Sequence, residues 1–125
     1  MKKLLWMGLA GATGAIIRVA IGQIGFDESG FPFSTLIVNI VGTFLLCLII
    51  AGACRKLAAY KDLQDIVNTG FLGSFTTFSA LSIETVLLVE KGQLILAGLY
   101  VIVSVIIGLS AGVLGFHLGS KKVRT

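Results

Sequence analysis

Gly92–Leu118, GQLILAGLYVIVSVIIGLSAGVLGFHL, and Ser29–Cys54, SGFPFSTLIVNIVGTFLLCLIIAGAC, contain no Asp, Glu, Lys or Arg. A helix needs about 20 apolar residues to cross a bilayer core, and each run is longer than that. The whole chain follows suit: 125 residues are 56% hydrophobic and 13% charged, with a mean hydropathy of +1.01. A soluble domain of this size has no use for such runs. The fold class expected is therefore an all-α membrane protein in one domain, residues 1–125, with no internal repeat.

Charges and turn residues divide the chain into four expected spans, roughly Leu4–Ile24, Phe33–Cys54, Leu63–Val89 and Gln93–Leu118. The connectors are Gly25–Pro32, with Asp27, Glu28, Gly30 and the only proline, then Arg55–Asp62, then the tight Glu90-Lys91-Gly92 turn. Lys2 and Lys3 before Leu4 and Leu5 imitate a secretory leader. The apolar stretch runs on through Ile24 without a persuasive small-residue cleavage site, so a retained first span is expected. Cys47 and Cys54 are about two helical turns apart, too far for a disulfide. Neither they nor His117 stand in a metal-ligand spacing.

An even number of crossings puts both termini on one side. Lys2, Lys3, Arg55, Lys56, Lys61, Lys121, Lys122 and Arg124 lie there, against Lys91 on the other side and Arg18 within the first span. The positive-inside rule then expects both termini in the cytoplasm. The net charge of +4 reads as an orientation signal, with no nucleic-acid partner expected.

Polar groups inside a span are costly and mark protein interior or a watery path. Gly8, Gly11 and Gly14 form a small-residue face suited to close helix packing. Arg18, one turn on, must reach a headgroup, a carboxylate or a wet vestibule, which leaves an anion-related role and structural pairing both open. Thr35, Asn39 and Thr43 share one face of the second span. The Asn39 amide offers two donors that can replace water around an anion; an interhelical hydrogen bond is the alternative.

The third span reads Gly70-Phe71-Leu72-Gly73-Ser74-Phe75-Thr76-Thr77-Phe78-Ser79 at its centre, poor material for an unbroken helix. Backbone can leave the helix at membrane depth only where protein or a cavity receives it, and freed carbonyls then need a partner such as a cation. The positive rim of a phenylalanine ring can also face an anion edge-on. Glu84 lies toward the end bounded by Lys91, near an aqueous mouth. In the fourth span Tyr100 and Ser104 are one turn apart and extend a polar track, with Ser110 beyond.

Three motifs in order resemble the small bacterial fluoride channels, the family often called Fluc or CrcB. They are Gly11-Ala12-Thr13-Gly14-Ala15-Ile16-Ile17-Arg18, then Gly30 through Thr35-Leu36-Ile37-Val38-Asn39-Ile40-Val41-Gly42-Thr43, then Gly70–Ser79 with Ser82 and Glu84 at the expected distances. The resemblance spans essentially the whole chain. It implies passive export of cytoplasmic fluoride, which lowers its toxicity, across the cell membrane. It also implies an antiparallel dimer of four-helix subunits with two pores along the interface, and a third helix broken within the membrane. Carried over, a structural sodium ion sits at that break, held by the backbone carbonyls of Gly73 and Thr76. Asn39 and Phe78 match pore positions; Ser79, Ser82 and Glu84 match positions near the ion path, and Arg18 matches the first-span arginine. Thr43, on the face of Asn39, joins the pore candidates.

Two features depart from the family pattern. The pore stretch usually reads Thr-Thr-Phe-Ser-Thr-Phe-Ser, whereas here Leu81 replaces the second phenylalanine. The basic residues are also lopsided, where a protein inserting both ways should be balanced. Both point to a subunit that pairs with an oppositely oriented paralogue, with a homodimer as the alternative. Competing readings are a non-conducting partner subunit and a small multidrug-type cation exporter; the latter needs a membrane-embedded carboxylate, and the first span offers Arg18 instead. No nucleophile and base constellation suggests an enzyme.

Overall fold

The structure, a computed structural model, describes residues 1–24, 30–54 and 59–124. Asp27 and Glu28 of the first connector, and Arg55 and Lys56 of the second, lie outside the described residues. Those described form helices and turns with no strand. Four stretches are long and apolar enough to cross a membrane: Lys2–Gln23, Phe33–Ile50, Lys61–Glu90 and Leu94–Lys121.

Helix α1 covers Lys2–Ile24. Helix α2, Phe33–Ile50, begins directly after Pro32, which fixes φ and lacks an N–H at the point where the helix has no internal acceptor for one. It stops short of Cys54 because Gly52 turns left-handed, with φ 95°. There Gly52 N–H donates to the Ile49 carbonyl and Ala53 N–H to that of Leu48, a closure that satisfies the last turn. The third span is composite: α3, Lys61–Asp65, widens into a π-helix over Ile66–Leu72 and tightens into the short α4, Gly73–Phe75. Helix α5, Phe78–Glu90, follows after Thr76 and Thr77. Gly92, at φ 75°, repeats the glycine closure, with Gln93 N–H reaching the Leu88 carbonyl. Helix α6 then runs from Leu94 to Arg124, past the expected end at Leu118.

Helix α6 lies along α2, while α1 lies along the π-helix and α4. Backbones come this close only where side chains are absent. A Cβ on Gly14 would strike the Phe71 carbonyl, one on Gly70 would come within 2.8 Å of the Met7 carbonyl, and one on Gly115 would strike the Phe44 carbonyl. Gly11 faces Ser74 Oγ, whereas Gly8, expected on the same packing face, has nothing within 4 Å. At the start of α1, Lys3 Nζ bridges Asp62 Oδ1 at 2.9 Å and Asp65 Oδ2 at 2.6 Å, tying the start of the third span to that of the first.

The interior is small: Leu36, Leu81, Leu88, Ala97 and Tyr100 form its cluster. Large apolar side chains instead point outward, among them Leu4, Ile16, Ile95, Ile106 and Val113. That inversion suits a lipid solvent, where outward apolar groups cost nothing and contact between helices comes from close packing.

Gly14→Ala should therefore push α1 off the third span and cost about 1–3 kcal/mol by overpacking. Gly8→Ala should be neutral. Thermal unfolding midpoints of the two purified variants in detergent check this, with a lowered midpoint expected for Gly14→Ala alone.

Candidate functional site

Helical bonding fails between α4 and α5. Thr76 takes φ −76°, ψ 153° and Thr77 takes φ −151°, ψ 122°, both extended. An interrupted helix leaves carbonyls without donors behind the break and N–H groups without acceptors ahead of it. Four of these groups find side-chain partners here. Thr77 N–H donates to Asn39 Oδ1 at 2.7 Å, and Asn39 Nδ2 donates to the Thr77 carbonyl at 2.9 Å. One amide from α2 thus mimics a neighbouring peptide for both halves of the break. Arg18 Nε donates to the Ser74 carbonyl at 3.2 Å. Thr77 also caps α5, its Oγ1 accepting from Ala80 N–H at 3.2 Å.

Two carbonyls lose their usual donors in this exchange. The Thr77 N–H that would serve the Gly73 carbonyl is given to Asn39, and the Ala80 N–H that would serve Thr76 is given to the Thr77 hydroxyl. Both oxygens belong to a hard, neutral donor class that suits a hard cation. Among the described residues no group of three His, Cys, Asp or Glu gathers as a transition-metal site.

Phe78 opens α5 and is 79% exposed, and exposed Ser79 lies beside it, its Oγ 3.1 Å from Thr77 Oγ1. Ser82, one turn on, donates to the Phe78 carbonyl at 3.0 Å. Leu81 does not share that face. It turns into the interior cluster with Leu36, Leu88 and Tyr100.

A second polar knot lies further along α5. Thr35 Oγ1 and Tyr100 Oη each donate at 2.6 Å to Glu84, one to each carboxylate oxygen. Three spans meet there, and the edge of the Phe31 and Tyr100 ring pair, at 5.3 Å and 82°, closes one side. The expected stripe of Thr35, Asn39 and Thr43 is thus shared out: Thr35 serves Glu84, Asn39 serves the break, and Thr43 turns its methyl toward Gly112 of α6. Tyr100, expected to pair with Ser104 in a track, binds Glu84; the buried Ser104 Oγ has no partner. The capping role of Thr77 was not anticipated, although a threonine just ahead of an apolar helical run is a known start signal.

The family model for CrcB-like protein, Camphor Resistance (CrcB), matches residues 5–116. The chain belongs to the CrcB-like family. Several curated relatives are described as fluoride-specific ion channels. The "Fluoride-specific ion channel FluC 1" of Desulfitobacterium hafniense is 43% identical over 111 residues, 89% of this chain and 96% of the relative. The "Fluoride-specific ion channel FluC" of Oceanobacillus iheyensis is 36% identical over 118 residues, 94% and 92% of the two chains. The "Fluoride-specific ion channel FluC 2" of Listeria innocua is 38% identical over 120 residues, 96% and 92%. With four apolar helices, this member of the CrcB-like family is a multi-pass membrane protein.

Asn39→Ala would remove the partner of both the N–H and the C=O of Thr77, which are half-buried, at about 1 kcal/mol for each lost hydrogen bond. A fall in the detergent unfolding midpoint larger than that of Ser79→Ala is expected, measured side by side on purified protein.

Proposed function

We propose that this chain is a subunit of a fluoride-selective channel through which cytoplasmic fluoride leaves the cell passively. The observation that carries the reading is the Asn39-clamped interruption of the third span, with Phe78 and Ser79 presented outward from it, in a chain whose relatives are described as fluoride-specific channels.

Fluoride is small and tightly hydrated, so a selective path must replace water with weak donors and still release the ion. Asn39 keeps one N–H beyond the one given to Thr77. Ser79 and Ser82 supply hydroxyls, and the Phe78 ring supplies a positive edge. Arg18 acts behind this row, through the Ser74 carbonyl. Glu84, saturated by Thr35 and Tyr100, ends the path toward the Lys91 side, and Thr43 continues the Asn39 face. From acidic surroundings fluoride enters the cell as neutral hydrogen fluoride, ionises in the cytoplasm and is trapped there, so an anion path in the cell membrane suffices for protection.

The assembly proposed is an antiparallel dimer with the break at mid-membrane. Extended backbone beside an exposed Phe78 and Ser79 is a surface that lipid does not satisfy, and a second subunit would cover it. The carbonyls of Gly73 and Thr76, whose usual helical donors are given elsewhere, would be the oxygen ligands of a sodium ion at that contact. The excess of basic residues on the side of the termini supports a cytoplasmic location for both ends. The same asymmetry favours an oppositely oriented paralogue as partner over a second copy. Leu81 carries less weight toward that choice, because its side chain fills the subunit's own core.

Liposomes loaded with fluoride and containing this chain alone, then with the paralogue, test the proposal with a fluoride electrode. Fluoride release without chloride release, by either assembly, is the expected result; silence from both would sink it. In the conducting assembly Phe78→Ala should slow release about tenfold, equivalent to about 1.4 kcal/mol, and removing sodium should abolish it.

A further inference from the structure

A cavity of about 340 Å³ lies at the end of the bundle away from the termini. Its walls include Pro32, Ser34 and Thr35 at the start of α2, and Glu84 and Lys91 from α5 and its cap. Glu84 and Lys91 are two helical turns apart, which places them on one face of the element about 10 Å from each other along its axis. Leu87 and Leu88 line the wall between them. Lys91 is exposed and makes no ion pair among the described residues, while both carboxylate oxygens of Glu84 are already taken by hydroxyls. An ion arriving from this side meets Lys91 first and the Glu84 knot last.

By sequence, the two connectors on this side otherwise carry only acidic charge. On this side of the membrane the sequence places Asp27, Glu28 and Glu90, and Lys91 is the only Lys or Arg in either connector there. We infer that Lys91 is the anion-collecting charge of this mouth, raising the local concentration of fluoride in the cavity that leads to Glu84 and so setting the rate of entry and exit on this side. The inference rests on the channel reading above and adds a residue that acts by field, without touching the ion in the narrow path. A single ammonium at the rim of a low-dielectric cavity concentrates anions by focusing, and its reach is about one Debye length at 0.1 M salt, similar to its separation from Glu84. Its effect must therefore fade as salt rises, which a packing role would not.

The test uses the conducting assembly in liposomes, with ionic strength set by an impermeant salt at about 20 mM and at about 500 mM. At low ionic strength Lys91→Glu should slow fluoride release about fivefold to tenfold and Lys91→Gln about threefold, with Lys91→Arg close to the parent; at high ionic strength all should converge within about 1.5-fold. Lys91→Glu releasing fluoride at the parent rate in low salt overturns the inference, as does a loss of equal size at both salt concentrations. A parent chain that conducts neither alone nor with its paralogue overturns the channel reading and this inference together, whereas parental conduction with an insensitive Lys91 overturns the inference alone.

Discussion

Backbone that leaves a helix inside an apolar span needs protein partners, and at Thr77 both the N–H and the C=O of the residue are taken by one side chain, the amide of Asn39. Few side chains can do this. The partner must carry a donor and an acceptor side by side on one amide, as a peptide does, which leaves Asn and Gln. Asn39 has the shorter stem and sits on α2 facing the break, so its reach matches the close approach of the two spans. That approach in turn depends on Gly42, one turn away, where a Cβ would run into the Thr76 methyl. The clamp, the extended Thr76 and Thr77, and the start of α5 at Phe78 are thus a single construction.

The rest of the bundle is arranged so that this construction can exist. Glycines at Gly14 and Gly70 bring α1 against the π-helix, which places Arg18 within reach of the Ser74 carbonyl. Glycines on α6 bring that helix onto α2, which places Tyr100 at Glu84. Packing of small residues stands in for the hydrophobic drive that lipid cannot provide. The Lys3 bridge to Asp62 and Asp65 then fixes the far end of the same α1 contact.

Sequence alone carried some of this and not the rest, for identifiable reasons. Uncharged runs set the number of spans, and the glycines and hydroxyls of Gly70–Ser79 pointed to a helix that could not run straight through. Gly52 and Gly92 each closed a helix, but only Gly92 sat in a stretch polar enough to read as a turn; Gly52 lies in an apolar run, so the end of α2 was placed too late. The π-helix inserts its extra residue without any compositional mark. Partners across spans depend on rotations that a single helix does not encode. Thr35, Asn39 and Thr43 are correctly one face by spacing, yet what each binds was decided by α5 and α6. Leu81 is the sharpest case, since a substitution read along one strand of motif looked like a lost pore group. Its seven-residue interval to Leu88 puts both on one side of α5, and both are buried in the interior cluster while the neighbouring Phe78 and Ser79 are exposed.

The two polar knots share a principle that bears on how a path for a small anion is built. At the break, Asn39 spends its acceptor and one donor on backbone; at Glu84, two hydroxyls spend their protons on a carboxylate. Each knot is nearly saturated by protein before any ion arrives. A path whose donors are mostly committed binds weakly, because any hydrogen bond given to a passing fluoride is one withdrawn from a protein partner. Weak binding is what rapid release requires. On the channel reading, the same commitment would let a carboxylate line such a path. With Thr35 and Tyr100 donating to it, part of the charge on Glu84 is neutralised by hydrogen bonding, and turning either hydroxyl toward an anion is possible only if Glu84 gives it up. On the channel reading, Glu84 competes with the ion for two donors, and the balance of that competition sets how long fluoride stays.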